Sequence, residues 1–228
     1  MIVSHRHRII FLKTEKTGGT SVERALATLL GEGDVWPSGP RPAWGRRVPG
    51  LHGALTRTLP ELFGPHAHAT ARQVRRIVGR AVFDSYLKVS IERNPWDRQV
   101  SLYTHREWKK GRGPENFDRD MRSARYRNTE YCRLDNWSIY AIGDAVVADR
   151  VLRHERLAED FAALMDELGI GEPPALGRHR AYNPDRPHYS AYYSAETRDL
   201  VARWYAREIA AFGYEFEDAP AAAARPAA

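Results

Sequence analysis

The 228-residue chain has one cysteine, Cys132. That excludes an intrachain disulfide and any cysteine-based zinc site, and no metal centre is expected. No apolar run approaches the roughly 20 residues that a membrane-spanning helix needs. Residues 1–8 lack the apolar core of a secretory leader, and the charged run Lys13-Thr14-Glu15-Lys16 follows almost at once. The expectation is a cytoplasmic protein with no membrane partner. Lysine is scarce too: Lys13, Lys16, Lys88, Lys109 and Lys110 are the five lysines among 35 basic residues, and the other 30 are arginines. Arginine is the planar, bidentate reader of phosphate and sulfate, so the net charge of +6 points to anionic ligands. These arginines are scattered instead of forming a basic stripe interleaved with aromatics, which argues against a nucleic-acid partner. Apolar residues at 43% and charged residues at 28% are ordinary for a globular chain and exclude collagen-like and disordered classes.

Three strand-to-helix units are legible. Ile9-Ile10-Phe11-Leu12 predicts a strand, then a loop, then a helix from about Ser21. Val22, Leu26, Leu29 and Leu30 recur at helical spacing, and Gly31 ends the run. Residues 86–91, rich in β-branched and aromatic side chains, predict a second strand. Its following helix has Asn94 as N-cap, Pro95 at the first position and Asp97 three residues after the cap. Residues 146–152 predict a third strand, followed by a helix with Leu157, Phe161, Leu164, Met165 and Leu168 on one stripe. A helix over 70–78, with Thr70 and Gln73 as a capping box, precedes the second strand. One long helix from Ser194 carries Leu200, Val201, Trp204, Tyr205, Ile209 and Phe212 inward. Strands alternating with helices predict an α/β fold, with a central parallel sheet covered on both faces. Residues 31–50 read as a long loop and 219–228 as a disordered Ala/Pro-rich tail, leaving one domain over 1–218.

Two stretches have the make-up of anion sites. Lys16-Thr17-Gly18-Gly19-Thr20-Ser21 lies where a strand hands over to a helix, whose first-turn N–H groups lack partners and whose dipole is positive there. Two glycines allow close approach of the backbone, Thr20 and Ser21 add hydroxyls, and Lys16 adds a mobile charge. A capped glycine turn with a solvated lysine is the plainer reading of the same residues. The lysine precedes both glycines, whereas a nucleoside triphosphatase P-loop puts it after the second. No apolar strand ends in an aspartate suited to magnesium. Both departures oppose the alternative of a nucleotide kinase. At the end of the second strand, Arg93 sits at the carboxyl edge where parallel sheets bind ligands. Asn94, Arg98 and Ser101 share a polar helix face, and Trp96, Val100 and Tyr103 an apolar one.

Together, residues 11–21 and the stretch Glu92-Arg93-Asn94-Pro95-Trp96-Asp97-Arg98-Gln99-Val100-Ser101-Leu102-Tyr103 resemble the two nucleotide motifs of carbohydrate-type sulfotransferases, in the form of the short soluble bacterial members. Arg153-His154-Glu155-Arg156-Leu157 is similar to the family's third strand and helix start, and Phe212-Gly213-Tyr214-Glu215-Phe216 to its closing element. The resemblance implies a P-loop-like three-layer fold. It also implies 3′-phosphoadenosine-5′-phosphosulfate (PAPS) as donor and a hydroxyl on a carbohydrate or small metabolite as acceptor. By the same resemblance Lys16 lies near the oxygen bridging sulfur and phosphorus, residues 17–21 hold the 5′-phosphate, and Arg93 and Ser101 hold the 3′-phosphate. Many members have proline where this chain has Glu15, whose carboxylate is expected to point outward.

An acceptor hydroxyl has to lose a proton, and an unperturbed histidine titrates at about 6.5. His68, two residues before the N-cap Thr70, is the expected base, with His66, His52 and then Glu92 behind it. His68-Ala69-Thr70-Ala71 also resembles a bacterial-member segment in which a histidine precedes this helix. His5 and His7 lack a third metal ligand nearby. His154 reads as structural within the third strand. His179 and His188, with Arg178, Arg180, Tyr182 and Tyr189, form either a cover for the nucleotide or a tyrosine-rich packing segment. Trp36, Trp44, Trp108 and Trp137 fill the core or stack on an acceptor ring.

Overall fold

The computed structural model describes residues 1–37, 67–129, 132–177 and 186–219. In chain order its elements are β1 (Ile2–Ser4), β2 (Ile9–Leu12), α1 (Gly19–Ala27), α2 (Ala71–Val78), α3 (Arg80–Ser85), β3 (Leu87–Glu92), α4 (Pro95–Trp108), α5 (Phe117–Arg122), α6 (Ala124–Arg127), α7 (Trp137–Tyr140), β4 (Ala141–Ile142), β5 (Ala145–Val146), β6 (Arg150–Arg153), α8 (Leu157–Glu167), α9 (Ala195–Trp204) and α10 (Ala206–Phe212). The chain divides into two compact units, Met1–Glu92 with Asp135–His179, and Arg93–Leu134 with Arg180–Ala228.

The first unit is mixed α/β. Its sheet has the order β1-β2-β3-β6, with β2, β3 and β6 parallel and β1 antiparallel at the edge. β3 reads Leu-Lys-Val-Ser-Ile-Glu, a strict alternation that sends Val89 and Ile91 to one face and Lys88, Ser90 and Glu92 to the other. Ile9, Phe11, Val89, Ile91 and Leu152 bury the first face against Val22, Ala25 and Leu26 of α1 and Phe161, Leu164 and Met165 of α8. Each such side chain contributes about 1.5–3 kcal/mol when fully buried. The polar face is covered as well. Lys88 lies over the Phe83 ring of α3, and Tyr140 of α7 donates to Glu92 at 2.8 Å.

Several expectations meet the structure here. The Thr70–Gln73 capping box forms at the start of α2. β1 was not foreseen. The third strand is shorter than expected: Ala145–Val146 pairs instead with Ala141–Ile142, and the sheet strand is Arg150–Arg153. The break falls at Asp149, whose carboxylate accepts the Lys88 backbone N–H at 2.7 Å. Beyond Pro37, the expected 31–50 loop lies outside the described residues, as do Trp44, His52, His66, Arg178, His179, Arg180, Tyr182 and the tail past Ala219.

The second unit is helical. Trp96, Val100 and Tyr103 of α4 pack with Phe117, Met121, Tyr189, Leu200, Val201, Tyr205 and Tyr214. The single long C-terminal helix expected from Ser194 is two helices, broken at Tyr205, where φ is −118° and ψ is 29°. The Tyr205 hydroxyl donates to Gln99 at 2.8 Å and accepts the Leu134 backbone N–H at 3.0 Å, which fixes the ring inside. Among the described residues no helix is long and apolar enough to cross a membrane.

Candidate active site

β2 and β3 run parallel, so their carboxyl ends share one edge of the sheet. The segment after β2 is an irregular loop over residues 13–18. It contains two left-handed residues, Lys16 at φ 62° and Gly18 at φ 84°. For a non-glycine residue that conformation costs roughly 1–2 kcal/mol, so the surroundings have to hold Lys16 there. Gly18 is the N-cap of α1, with no side-chain cap and no acidic residue in the first turn. A Cβ on Gly18 would come within 3.1 Å of both His154 Nδ1 and Leu157 Cδ2, and one on Gly19 within 3.1 Å of Lys13 Cγ. A side chain at either glycine would push these neighbours by a few tenths of an ångström, and at Gly18 the left-handed backbone itself calls for glycine.

The side chains of this stretch divide. Lys13 turns inward and pairs with Glu23 of α1 at 2.6 Å, both buried. Thr17 is fully buried. The Thr14 hydroxyl donates to the Ile91 carbonyl at 2.5 Å, so the Thr17 hydroxyl, 2.8 Å from it, has to donate to Thr14. Thr17 thus offers a ligand its backbone only. Ser21 donates its hydroxyl to the Gly177 carbonyl at 2.7 Å. Thr20 and Lys16 are half-buried.

His68 lies against this loop, with Nδ1 3.0 Å from the Lys13 carbonyl. A carbonyl only accepts, so Nδ1 carries the proton and the neutral ring keeps its lone pair on Nε2. Burial pushes the His68 pKa below the ordinary histidine value; the Glu15 charge and the Lys13 carbonyl oppose that shift without cancelling it. Glu15 is itself half-buried and close enough for its charge to act on the ring. Glu92, the carboxylate held in reserve as a base, is buried and accepts from Tyr140. Asn136, which sequence reasoning missed, and His154, read from the sequence as structural, also reach the loop. Asn136, buried, accepts the Glu15 N–H at 2.9 Å and donates to the Glu15 carbonyl at 3.0 Å. His154 Nδ1 lies 3.0 Å from the Thr17 carbonyl. His154 is not in a strand; it opens the short 3-10 turn that follows β6.

The segment after β3 belongs to the second unit. Asn94 caps α4 by accepting the Trp96 N–H at 3.1 Å and donates to the Glu215 carbonyl at 2.9 Å. Arg98 is fully buried, paired with Glu208 at 3.1 Å and 4.4 Å above the centre of the Tyr205 ring. The expected polar face of Asn94, Arg98 and Ser101 is therefore not an open one, because the first two are committed inside. Arg93 is 9% exposed and donates from Nε and Nη2 to one oxygen of Asp97, at 2.8 and 2.6 Å. Asp97 does not close a capping box. Its second oxygen takes Nη2 of Arg186. Burial opposes ionisation of Asp97, but the two guanidiniums outweigh it and hold the pKa below the usual value. Arg186 was also missed, since Pro184-Asp185-Arg186-Pro187 carries no recognisable pattern. Its Nη1 is buried without a hydrogen-bond partner among the described residues. Ser101 is half-buried on α4. His188 caps the Tyr189–Tyr192 turn and lies 4.3 Å from the Tyr189 ring, which is a packing role. Among the described residues no cluster of three or more His, Cys, Asp or Glu could hold a metal ion.

A glycine loop after a parallel strand that opens an uncapped helix is a build suited to an anionic group. The sulfotransferase family model matches residues 1–215, and the chain belongs to the sulfotransferase family, whose activity class is sulfuryl transfer. Over 105 residues it is 33% identical to an uncharacterized protein of Archaeoglobus fulgidus, a match covering 45% of this chain and 83% of that protein. No solved structure matches it.

Proposed function

We propose that the chain transfers the sulfuryl group of PAPS to an acceptor hydroxyl on a carbohydrate or small metabolite, in the cytoplasm. The observation that carries this reading is the start of α1 in a chain of this family: Gly18 opens the helix with no side-chain cap and no acidic residue in its first turn. A helix start left in that state attracts an anion. In the other unit, the orphaned Nη1 of Arg186 is a buried donor that an anion would satisfy.

The bound donor supplies a sulfuryl group whose bond to the 5′-phosphate oxygen breaks as the acceptor oxygen bonds to sulfur. Lys16 supplies positive charge to the departing bridging oxygen, an interaction strongest when that bond is breaking. Backbone N–H groups of residues 17–19, with the amide and hydroxyl of Thr20, hold the 5′-phosphate; Ser21 joins them by exchanging the Gly177 carbonyl for the ligand as partner of its hydroxyl, while its N–H stays on the Gly18 carbonyl. Arg93 and Ser101 hold the 3′-phosphate, the group that separates PAPS from simpler adenylates. His68 takes the acceptor proton on Nε2. Its Nδ1–H contact with the Lys13 carbonyl fixes the tautomer, and burial keeps the ring neutral, as a base has to be.

The test is incubation with sulfur-labelled PAPS and a panel of sugar, phenol and small-metabolite hydroxyl acceptors. Label should appear on an acceptor together with adenosine 3′,5′-bisphosphate. No transfer, together with thermal stabilisation by magnesium ATP and none by the bisphosphate, would replace this reading with a nucleotide kinase.

A further inference from the structure

The 13–18 loop is held by an unusual arrangement. Its alternate carbonyls, those of Lys13, Glu15 and Thr17, each accept from a side chain of a different segment: His68, Asn136 and His154. The loop thus has side-chain anchors where a strand would have a ladder, and all belong to the first unit. Thr17 lies between the left-handed Lys16 and Gly18, so the anchor on its carbonyl acts at the most strained point.

We infer that His154 is a positioning residue of the anion loop, which aims the Gly18 N–H. A trans peptide carries its C=O and its N–H on opposite sides. With the Thr17 carbonyl turned onto His154, the N–H of the same peptide, that of Gly18, points to the opposite side of the loop. Reversal of this peptide would present a carbonyl in its place and repel an anion. Nδ1 donates whether the ring is neutral or charged, so the anchor survives changes of pH that would disable a base. The packing is as specific as the hydrogen bond. The ring lies so close beneath Gly18 that a Cβ there would approach Nδ1 at 3.1 Å and Cε1 at 3.5 Å. This inference rests on the proposal that the loop holds the donor's 5′-phosphate.

Two substitutions separate the hydrogen bond from the packing. His154→Phe keeps a ring and removes the donor; His154→Asn keeps an N–H near the position of Nδ1. Calorimetry on the full chain compares adenosine 3′,5′-bisphosphate with adenosine 3′-monophosphate, which lacks the 5′ group. His154→Phe should weaken the bisphosphate about tenfold, the worth of one hydrogen bond, and leave the 3′-monophosphate unchanged. His154→Asn should restore most of the loss. Equal losses for both ligands, no loss in His154→Phe, or no recovery in His154→Asn would overturn the role. Amide hydrogen exchange at residues 16–20 tests the anchor without a ligand. It should quicken in His154→Phe and return towards the wild-type rate in His154→Asn, and unchanged exchange would overturn the inference. Wild-type protein that fails to bind the bisphosphate, with exchange responding as expected, would instead count against the donor assignment and leave the anchor standing.

Discussion

Residues 13–18 and residues 93–101 each follow a parallel strand, yet they treat charge in different ways. In the first, the protein's own carboxylate is drawn inward: Glu23 is buried on Lys13, and no acidic residue enters the first turn of α1. In the second, the carboxylate of Asp97 takes both Arg93 and Arg186, and Glu208 takes Arg98. One segment is held by side-chain contacts to its backbone, at the Lys13, Glu15 and Thr17 carbonyls and at the Glu15 N–H. The other is held by ion pairs between side chains, so an incoming anion has to share its arginines with Asp97. The same position after a parallel strand thus carries a loop pinned through its backbone in one case and an internally compensated cationic cluster in the other. Changes in the first should fall on turnover, and changes in the second on stability and affinity.

The largest expected effect is that of His68→Ala. A general base contributes roughly 10²–10⁴-fold, so kcat should fall by that factor while donor affinity stays close to wild type. In the wild type the acid limb of the kcat profile should lie below the ordinary histidine value of about 6.5, because burial favours the neutral ring. The same shift sets the sign for stability. The folded state resists protonation of His68, so this residue lowers stability only as pH falls below the unfolded value. A variant that keeps the acid limb would remove His68 from the role.

Arg98→Ala comes next and should act on stability instead of turnover. It removes the buried Arg98 partner of the buried Glu208, a loss of about 3–5 kcal/mol in denaturant unfolding. The paired change Arg98→Met with Glu208→Met should be much milder, because no charge is left stranded. Similar losses for the single and double variants would mean that packing on Tyr205, and not the ion pair, carries the effect.

Lys16→Ala should lower kcat by about 10²–10³, the usual loss for one preorganised charge-stabilising group, with a smaller change in donor affinity. An equal loss in both would mean that Lys16 binds the ground state and the transition state alike, and the contrast between the two segments would weaken.

These outcomes depend unequally on what the sequence makes legible. The strand–loop–helix order, the α2 capping box and the glycine loop are local patterns, and they read directly. β1 does not, because a three-residue strand is defined by its pairing with β2, in which Ile2 faces Phe11. The split at Tyr205 escapes a periodicity reading, since Leu200, Val201, Tyr205 and Ile209 keep helical spacing across it. Arg98 looked available on a polar helix face because nothing near it in sequence reveals Glu208, 110 residues away. Asn136 was passed over, and the partner of His154, read as structural, went unseen, for the same reason: their contacts reach across 121 and 137 residues to carbonyls that any residue would supply. His68 stands just ahead of a helix cap, a local signal, and lies against the loop carbonyl of Lys13; its part as base is a proposal.

The central proposal for the second segment is that Arg93 reads the donor's 3′-phosphate. It is tested most directly by calorimetry of wild-type and Arg93→Ala protein with adenosine 3′,5′-bisphosphate and with adenosine 5′-phosphosulfate. The account predicts that Arg93→Ala weakens the bisphosphate by about 1.5–3 kcal/mol, the worth of a hydrogen bond to a charged group, and leaves the 5′-phosphosulfate nearly unchanged. Equal losses for the two ligands, or none for either, would contradict it.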